Sequence, residues 1–110
     1  MREGDVQRQI MLAAPQFGCT LLRNNVGVLQ DVRGNYVTFG LAVGSSDMIG
    51  YTMIDRRAIF TAVEVKLPGK KATAAQQAFL DAVATAGGIA CVAYSIEDLK
   101  AAIRAWESCR

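Results

Sequence analysis

Ala58-Ile59-Phe60-Thr61-Ala62-Val63-Glu64-Val65-Lys66-Leu67 is an apolar strand that carries two charges. Side chains at i and i+2 share one face of a strand, so Glu64 and Lys66 point the same way. Val63, Val65 and Leu67 point to the other face and can pack under a helix. Just upstream, Met48 to Ile54 reads as a second strand. Asp55-Arg56-Arg57 joins the two as an antiparallel hairpin. Gly44-Ser45-Ser46 breaks the chain before Asp47, which opens that second strand. The hairpin can therefore bring Asp47 back beside Glu64.

The remaining elements follow outward from this hairpin. Downstream, Pro68-Gly69-Lys70-Lys71 is a loop, and Thr73 to Ala86 is a helix whose buried face carries Phe79, Val83 and Ala86. Gly87-Gly88 ends it. Ile89 to Tyr94 is continuously apolar, as in a strand buried on both faces. Ser95 caps a last helix lined by Ile96, Leu99, Ile103 and Trp106. The passage from 59 to 94 should be a right-handed parallel crossover. Upstream, residues 3 to 14 form a helix on Val6, Ile10 and Ala13/Ala14, closed by Pro15 and Gly18. An extended stretch runs from Cys19 to Asn24, with Asn25-Val26-Gly27 as a turn. Val28 to Val32 and Tyr36 to Ala42 flank Arg33-Gly34-Asn35 as another hairpin. The order predicts an α/β fold in a single domain, 1–110.

Composition limits the chemistry. The chain has 110 residues, 52% of them apolar, and no segment as long as a bilayer-spanning helix. Its first nine residues lack the apolar run of a signal peptide. These features lead us to expect a soluble cytoplasmic protein with no membrane partner. Cys19, Cys91 and Cys109 are scattered and odd in number, which argues against a disulfide framework. There is no histidine. Ser-His-Asp and Cys-His catalysis and HxxxH-type zinc sites are therefore excluded. Net charge is only +2, so nucleic acid would have to meet local basic patches such as Arg56-Arg57 and Lys70-Lys71.

Two carboxylates, Asp47 and Glu64, with a backbone carbonyl make a hard oxygen site suited to Mg²⁺ or Mn²⁺. Lys66 beside it can orient an attacking water and offset phosphate charge. Phosphodiester hydrolysis needs these parts. An ordinary explanation competes: Glu64 and Lys66 can be a surface ion pair worth under about 1 kcal/mol, and Asp47 can cap a turn. A lone E-x-K is common. An E-x-K strand preceded by a G-x-S-D turn at hairpin distance and followed by a helix is far more specific.

Gly44-Ser45-Ser46-Asp47, Glu64-Val65-Lys66, Thr73-Ala74-Ala75-Gln76-Gln77-Ala78-Phe79 and Gly87-Gly88 together resemble the virus-type replication-repair nuclease (VRR-NUC) domain of the PD-(D/E)XK superfamily. The resemblance runs from Glu3 to about Ile103 and is most specific in the central block. It implies a restriction-endonuclease-like core, with a mixed central sheet flanked by helices. It also implies that Asp47, Glu64 and the Val65 carbonyl hold the metal. Lys66 would be the catalytic lysine, with Gln76 close by. Glu3 on the first helix would face the metal, directly or through water. Arg23, Asn24, Asn25 and Ser46 match positions where DNA contact is expected. Thr73 and Gln76 also form a capping box, and an acidic residue such as Glu3 favours a helix's first turn on its own account. Pro15 departs from the family's uninterrupted first helix. Tyr51 and Tyr94 read as packing residues.

By the same resemblance the chain is expected to be an endonuclease that leaves 5′-phosphate and 3′-hydroxyl ends. It would act as a homodimer on branched DNA, like a Holliday-junction resolvase of bacterial or phage origin. The hairpin from 28 to 41, with Val28, Leu29, Tyr36, Phe39 and Leu41, is the candidate interface. The alternatives are a non-catalytic DNA-binding or assembly subunit, a sequence-specific restriction-type enzyme, or an RNA-processing nuclease of the same fold. Retention of Asp47, Glu64 and Lys66 weighs against the first. The lack of added recognition segments weighs against the second.

Overall fold

The computed structural model describes residues 1–109, without the side chain of Phe39. Phe39 was one of the apolar residues expected at a dimer interface, and its side chain lies outside the described residues. The elements run α1 (Glu3–Ala13), a 3-10 turn (Ala14–Phe17), β1 (Cys19–Arg23), β2 (Gly27–Gln30), β3 (Tyr36–Phe39), β4 (Met48–Ile54), β5 (Arg57–Val65), α2 (Ala74–Thr85), β6 (Ile89–Ala93) and α3 (Ile96–Ser108). This is an α/β fold with a mixed central sheet flanked by helices.

The sheet order is β1-β4-β5-β6. β1 and β4, and β4 and β5, are antiparallel, whereas β5 and β6 are parallel. The expected crossover through α2 therefore joins parallel strands. The β4–β5 turn is tight because Asp55 and Arg56 both take left-handed backbone angles, φ 50° and 65°. That is the geometry of a two-residue turn matched to strand twist. Its register places Tyr51 opposite Phe60 and Met48 opposite Val63.

Alternation then divides the residues between the two faces. Met48, Val63, Val65, Cys19 and Leu21 face a core closed by Val6, Ile10 and Ala14 of the N-terminal segment and by Leu99 and Ile103 of α3. Glu64, Ala62 and Phe60 point the opposite way, where α2 packs on β5 and β6. On that second face Leu22, Tyr51, Met53 and Phe60 stay exposed.

Local chemistry explains the helix ends. Thr73 and Gln76 form the capping box, with Gln76 N–H donating to Thr73 Oγ1 at 3.2 Å and Thr73 N–H donating to Gln76 Oε1 at 2.9 Å. At the other end Gly87 N–H reaches Ala84 O and Gly88 N–H reaches Val83 O. Gly87 takes φ 104°, so this is a Schellman stop. The buried face of α2 differs from expectation. Leu80 is its buried residue, Phe79 and Val83 are half-buried, and Ala86 is exposed. The buried side of α2 overlaps the expected one but is rotated toward Leu80, with Phe79 and Val83 at its edge and Ala86 outside it. Ser95 stands at the N-cap of α3 without a side-chain cap bond. The Asp98 carboxylate accepts Tyr94 N–H at 2.7 Å, which ties the chain entering α3 to its first turn. Pro15 does not break the N-terminal packing; it sits in the 3-10 turn that finishes the helix, and Gly18 closes the turn at φ 81°.

The hairpin between 27 and 39 stands apart. Among the described residues β2 and β3 pair only with each other, as a separate two-stranded sheet. Leu29 is 64% exposed and Tyr36 77%. The molecule measures 50 × 32 × 25 Å, with a radius of gyration of 14.7 Å, against about 13 Å expected for this chain length. No described helix is long and apolar enough to cross a membrane.

Candidate active site

The site lies where β4 begins and β5 ends. The hairpin register carries Asp47 one residue beyond the Met48–Val63 pair, which sets it against Glu64. Each residue then grips the other's strand. Asp47 N–H donates to Glu64 Oε1 at 3.2 Å, and Val65 N–H donates to Asp47 Oδ2 at 2.9 Å. Lys66 Nζ stands 3.6 Å from Glu64 Oε2, as the shared strand face requires. Glu64 is only 1% exposed, so this is no solvated surface pair.

Burial, then the neighbouring Asp47, push the Glu64 carboxyl up from near 4.5 to about 7, while Lys66 pulls it down. A buried carboxyl facing a second one is stabilised by a proton or by a cation. The donor set therefore suits a hard divalent ion. Among the described residues no group of three or more carboxylate, thiol or imidazole side chains converges. An ion here would complete its shell with backbone oxygen, water and substrate phosphate, as Mg²⁺ commonly does. Cys19 and Cys91 take no part. Burial raises both thiols, Cys91 to about 12, and neither is a nucleophile at neutral pH.

The turn before Asp47 fits closely against α2. Gly44 has φ 90°, and a Cβ there would come within 2.9 Å of Ala75 Cβ. The first turn of α2, which carries Gln76, thus rests on this glycine. Gln76 is half-buried and its Oε1 is engaged in the cap. Glu3 is half-buried in the first turn of α1 and adds no third carboxylate to a cluster.

The residues expected to meet DNA divide into several groups. Arg23 and Asn25 are exposed at the end of β1 and just beyond it. Lys70 and Lys71 are exposed in the loop that follows Lys66, and Tyr94 Oη donates to Lys70 O at 2.7 Å. Arg56 and Arg57 are exposed at the far end of the hairpin. Seven residues along β5 separate Arg57 from Glu64, about 23 Å at ~3.3 Å per residue. The structure does not bring that pair to the carboxylates. Ser46 corrects the sequence expectation: it is fully buried, and its hydroxyl donates to Met48 O at 2.9 Å. A serine so placed shapes the turn and presents nothing to DNA. Asn24 is half-buried and bonded to the same turn. Local pattern does not reveal this, because its partners lie 21 and 22 residues away.

No curated protein and no solved structure matches the chain. A family model described as the VRR-NUC domain matches residues 1–97. That span covers α1, the whole sheet, α2 and the start of α3, so the paired carboxylates and the lysine sit inside the matched region, and the chain belongs to the VRR-NUC family of nuclease domains.

Proposed function

We propose that this chain is a Mg²⁺- or Mn²⁺-dependent endodeoxyribonuclease, acting as a homodimer on branched DNA. The observation that carries the reading is the interlock of Asp47 with buried Glu64, with Lys66 beside them. Asp47, Glu64 and the Val65 carbonyl would hold the ion. When bound, it would supply Lewis-acid stabilisation of phosphoryl charge and lower the pKa of a bound water. Lys66 would orient an attacking water and offset charge on the phosphate. The backbone N–H bonds to Asp47 and Glu64 fix both carboxylates before substrate arrives, so little reorganisation is left for the chemical step. Lys70 and Lys71 lie just past Lys66 in the chain and supply phosphate contacts; Arg23 and Asn25 flank the other side. These contacts read backbone and shape rather than base sequence. Gln76 and Glu3 are supporting residues, Gln76 through the first turn of α2, which rests against Gly44.

The exposed β2–β3 hairpin supports the dimer. An isolated two-stranded hairpin is marginal in water, and Val28, Leu29 and Tyr36 on it are exposed. Pairing two subunits would present two sites to a junction.

The test is cleavage of a labelled four-way junction, a matching linear duplex and single-stranded DNA, with Mg²⁺, with Mn²⁺ and with EDTA. Junction cutting should require metal and vanish in Lys66→Ala and Asp47→Asn proteins that remain folded. Activity persisting in both variants would sink the site. Equal cutting of junction and duplex would remove the branched-DNA preference, and a monomer by light scattering would remove paired incision.

A further inference from the structure

We propose that Asn24 is a positioning residue for Asp47, tying the turn that carries this carboxylate to the root of the β2–β3 hairpin. The proposal rests on the reading of Asp47 as a metal ligand. Every polar atom of the Asn24 side chain is engaged across the gap. Its Nδ2 donates to Ser45 Oγ at 2.7 Å and to Ser46 O at 2.9 Å. Its Oδ1 accepts Leu41 N–H at 3.2 Å. Its own backbone N–H donates to Asp47 O at 2.7 Å. One residue thus holds the exit of the hairpin through Leu41, the turn through Ser45 and Ser46, and the carbonyl of Asp47 itself.

The surroundings leave this clamp little slack. Gly40 takes φ 78°, and a Cβ there would collide with the Asn25 carbonyl. The two ends of the hairpin therefore touch immediately beside Asn24. Ser45 and Ser46 are buried, so a lost bond there is not freely replaced by water. Chemistry also selects the amide. The Ser46 carbonyl takes a donor and the Leu41 amide takes an acceptor, and among side chains of this length only asparagine offers both. Asn24 accordingly acts through Asp47 and not on substrate. The hairpin root and the carboxylate move as one unit.

Amide exchange in the metal-free protein tests the clamp without reference to activity. The reporter is Val65 N–H, which is bonded to Asp47 Oδ2. Asn24→Asp is the decisive variant: it keeps an acceptor for Leu41 but turns a carboxylate toward the Ser46 carbonyl. In Asn24→Asp and Asn24→Ala the Val65 amide should exchange faster by about tenfold or more, while Thr61 in mid-sheet is unchanged. Calorimetric Mn²⁺ affinity should fall about 10- to 100-fold, the usual effect of removing a ligand's supporting partner, with duplex affinity in EDTA unchanged. Ser45→Ala removes one acceptor and should shift both readouts in the same direction by less, which covers a variant that fails to fold. Wild-type Val65 exchange in Asn24→Asp would overturn the proposal and leave Asn24 holding only the hairpin. Lost duplex affinity with unchanged exchange would make it a DNA contact. Wild-type protein that binds no Mn²⁺ would sink the metal-site reading, while the exchange result would still decide the clamp.

Discussion

β4–β5 and β2–β3 are both antiparallel hairpins of apolar strands joined by short turns, yet the chain treats them differently. In β4–β5 one face is sealed by α1 and α3, and Val63 and Val65 are fully buried. Part of the other face is sealed by α2. In β2–β3 most side chains are exposed. Its order comes from its own ladder, from the Asp31 turn, where Oδ1 accepts the Arg33 and Asn35 amides at 2.9 and 2.8 Å, and from its root at Asn24. Alternating sequence makes a hairpin; a covering layer makes it part of a core. The carboxylates sit on the covered hairpin, where burial can hold their geometry and shift Glu64.

Substitutions should separate the two regions clearly. The largest effect is expected at Gly50, where a Cβ would strike the Thr20 carbonyl of β1. Gly50→Ala should cost on the order of 3 kcal/mol, read as a lower urea midpoint. An equal midpoint would mean that β1 is not held closely against β4. Next comes pH. The folded protein holds the Glu64 proton more tightly than the unfolded chain does. That contribution is complete below about pH 4.5 and is lost as pH rises through about 7. Metal-free protein should therefore be less stable at pH 8 than at pH 5, by at most roughly 3 kcal/mol from this group. Glu64→Gln should flatten the slope, and Mg²⁺ should raise Tm more at pH 8 than at pH 5. A slope that survives in Glu64→Gln would assign it to other groups. Thr73→Ala should cost about 1 kcal/mol through the cap on α2, measured by urea unfolding. Smallest is the exposed hairpin: Leu29→Ser should change the stability of the isolated subunit by less than about 0.5 kcal/mol. A larger loss that depends on protein concentration would show the hairpin covered by a partner.

Much of this was legible in the sequence. The element order, the β4–β5 hairpin and the meeting of Asp47 with Glu64 all follow from period-two alternation and from turn residues. The i, i+2 spacing puts Lys66 beside Glu64 in any strand. What local pattern could not supply was the choice among equivalent neighbours. Alternation in 28–41 does not say whether a layer covers it. The apolar residues around α2 do not say which of them turns fully toward the sheet. Arg56-Arg57 looks like a basic patch near the site until strand length carries it to the opposite end. Ser46 and Asn24 look polar and available, and the fold buries one and commits the other. For α2 and for Asn24 a partner distant in sequence decided the outcome, and single-chain periodicity carries no record of it.

The lone tryptophan of the chain has a practical meaning. Trp106 on α3 donates its indole N–H to Gly87 O at 2.9 Å, across the seam where α2 stops. Its emission therefore reports on the joint between the two C-terminal helices and the parallel half of the sheet. A melt followed by tryptophan fluorescence records the loss of that joint, and the β2–β3 hairpin can fray well before it without altering the signal.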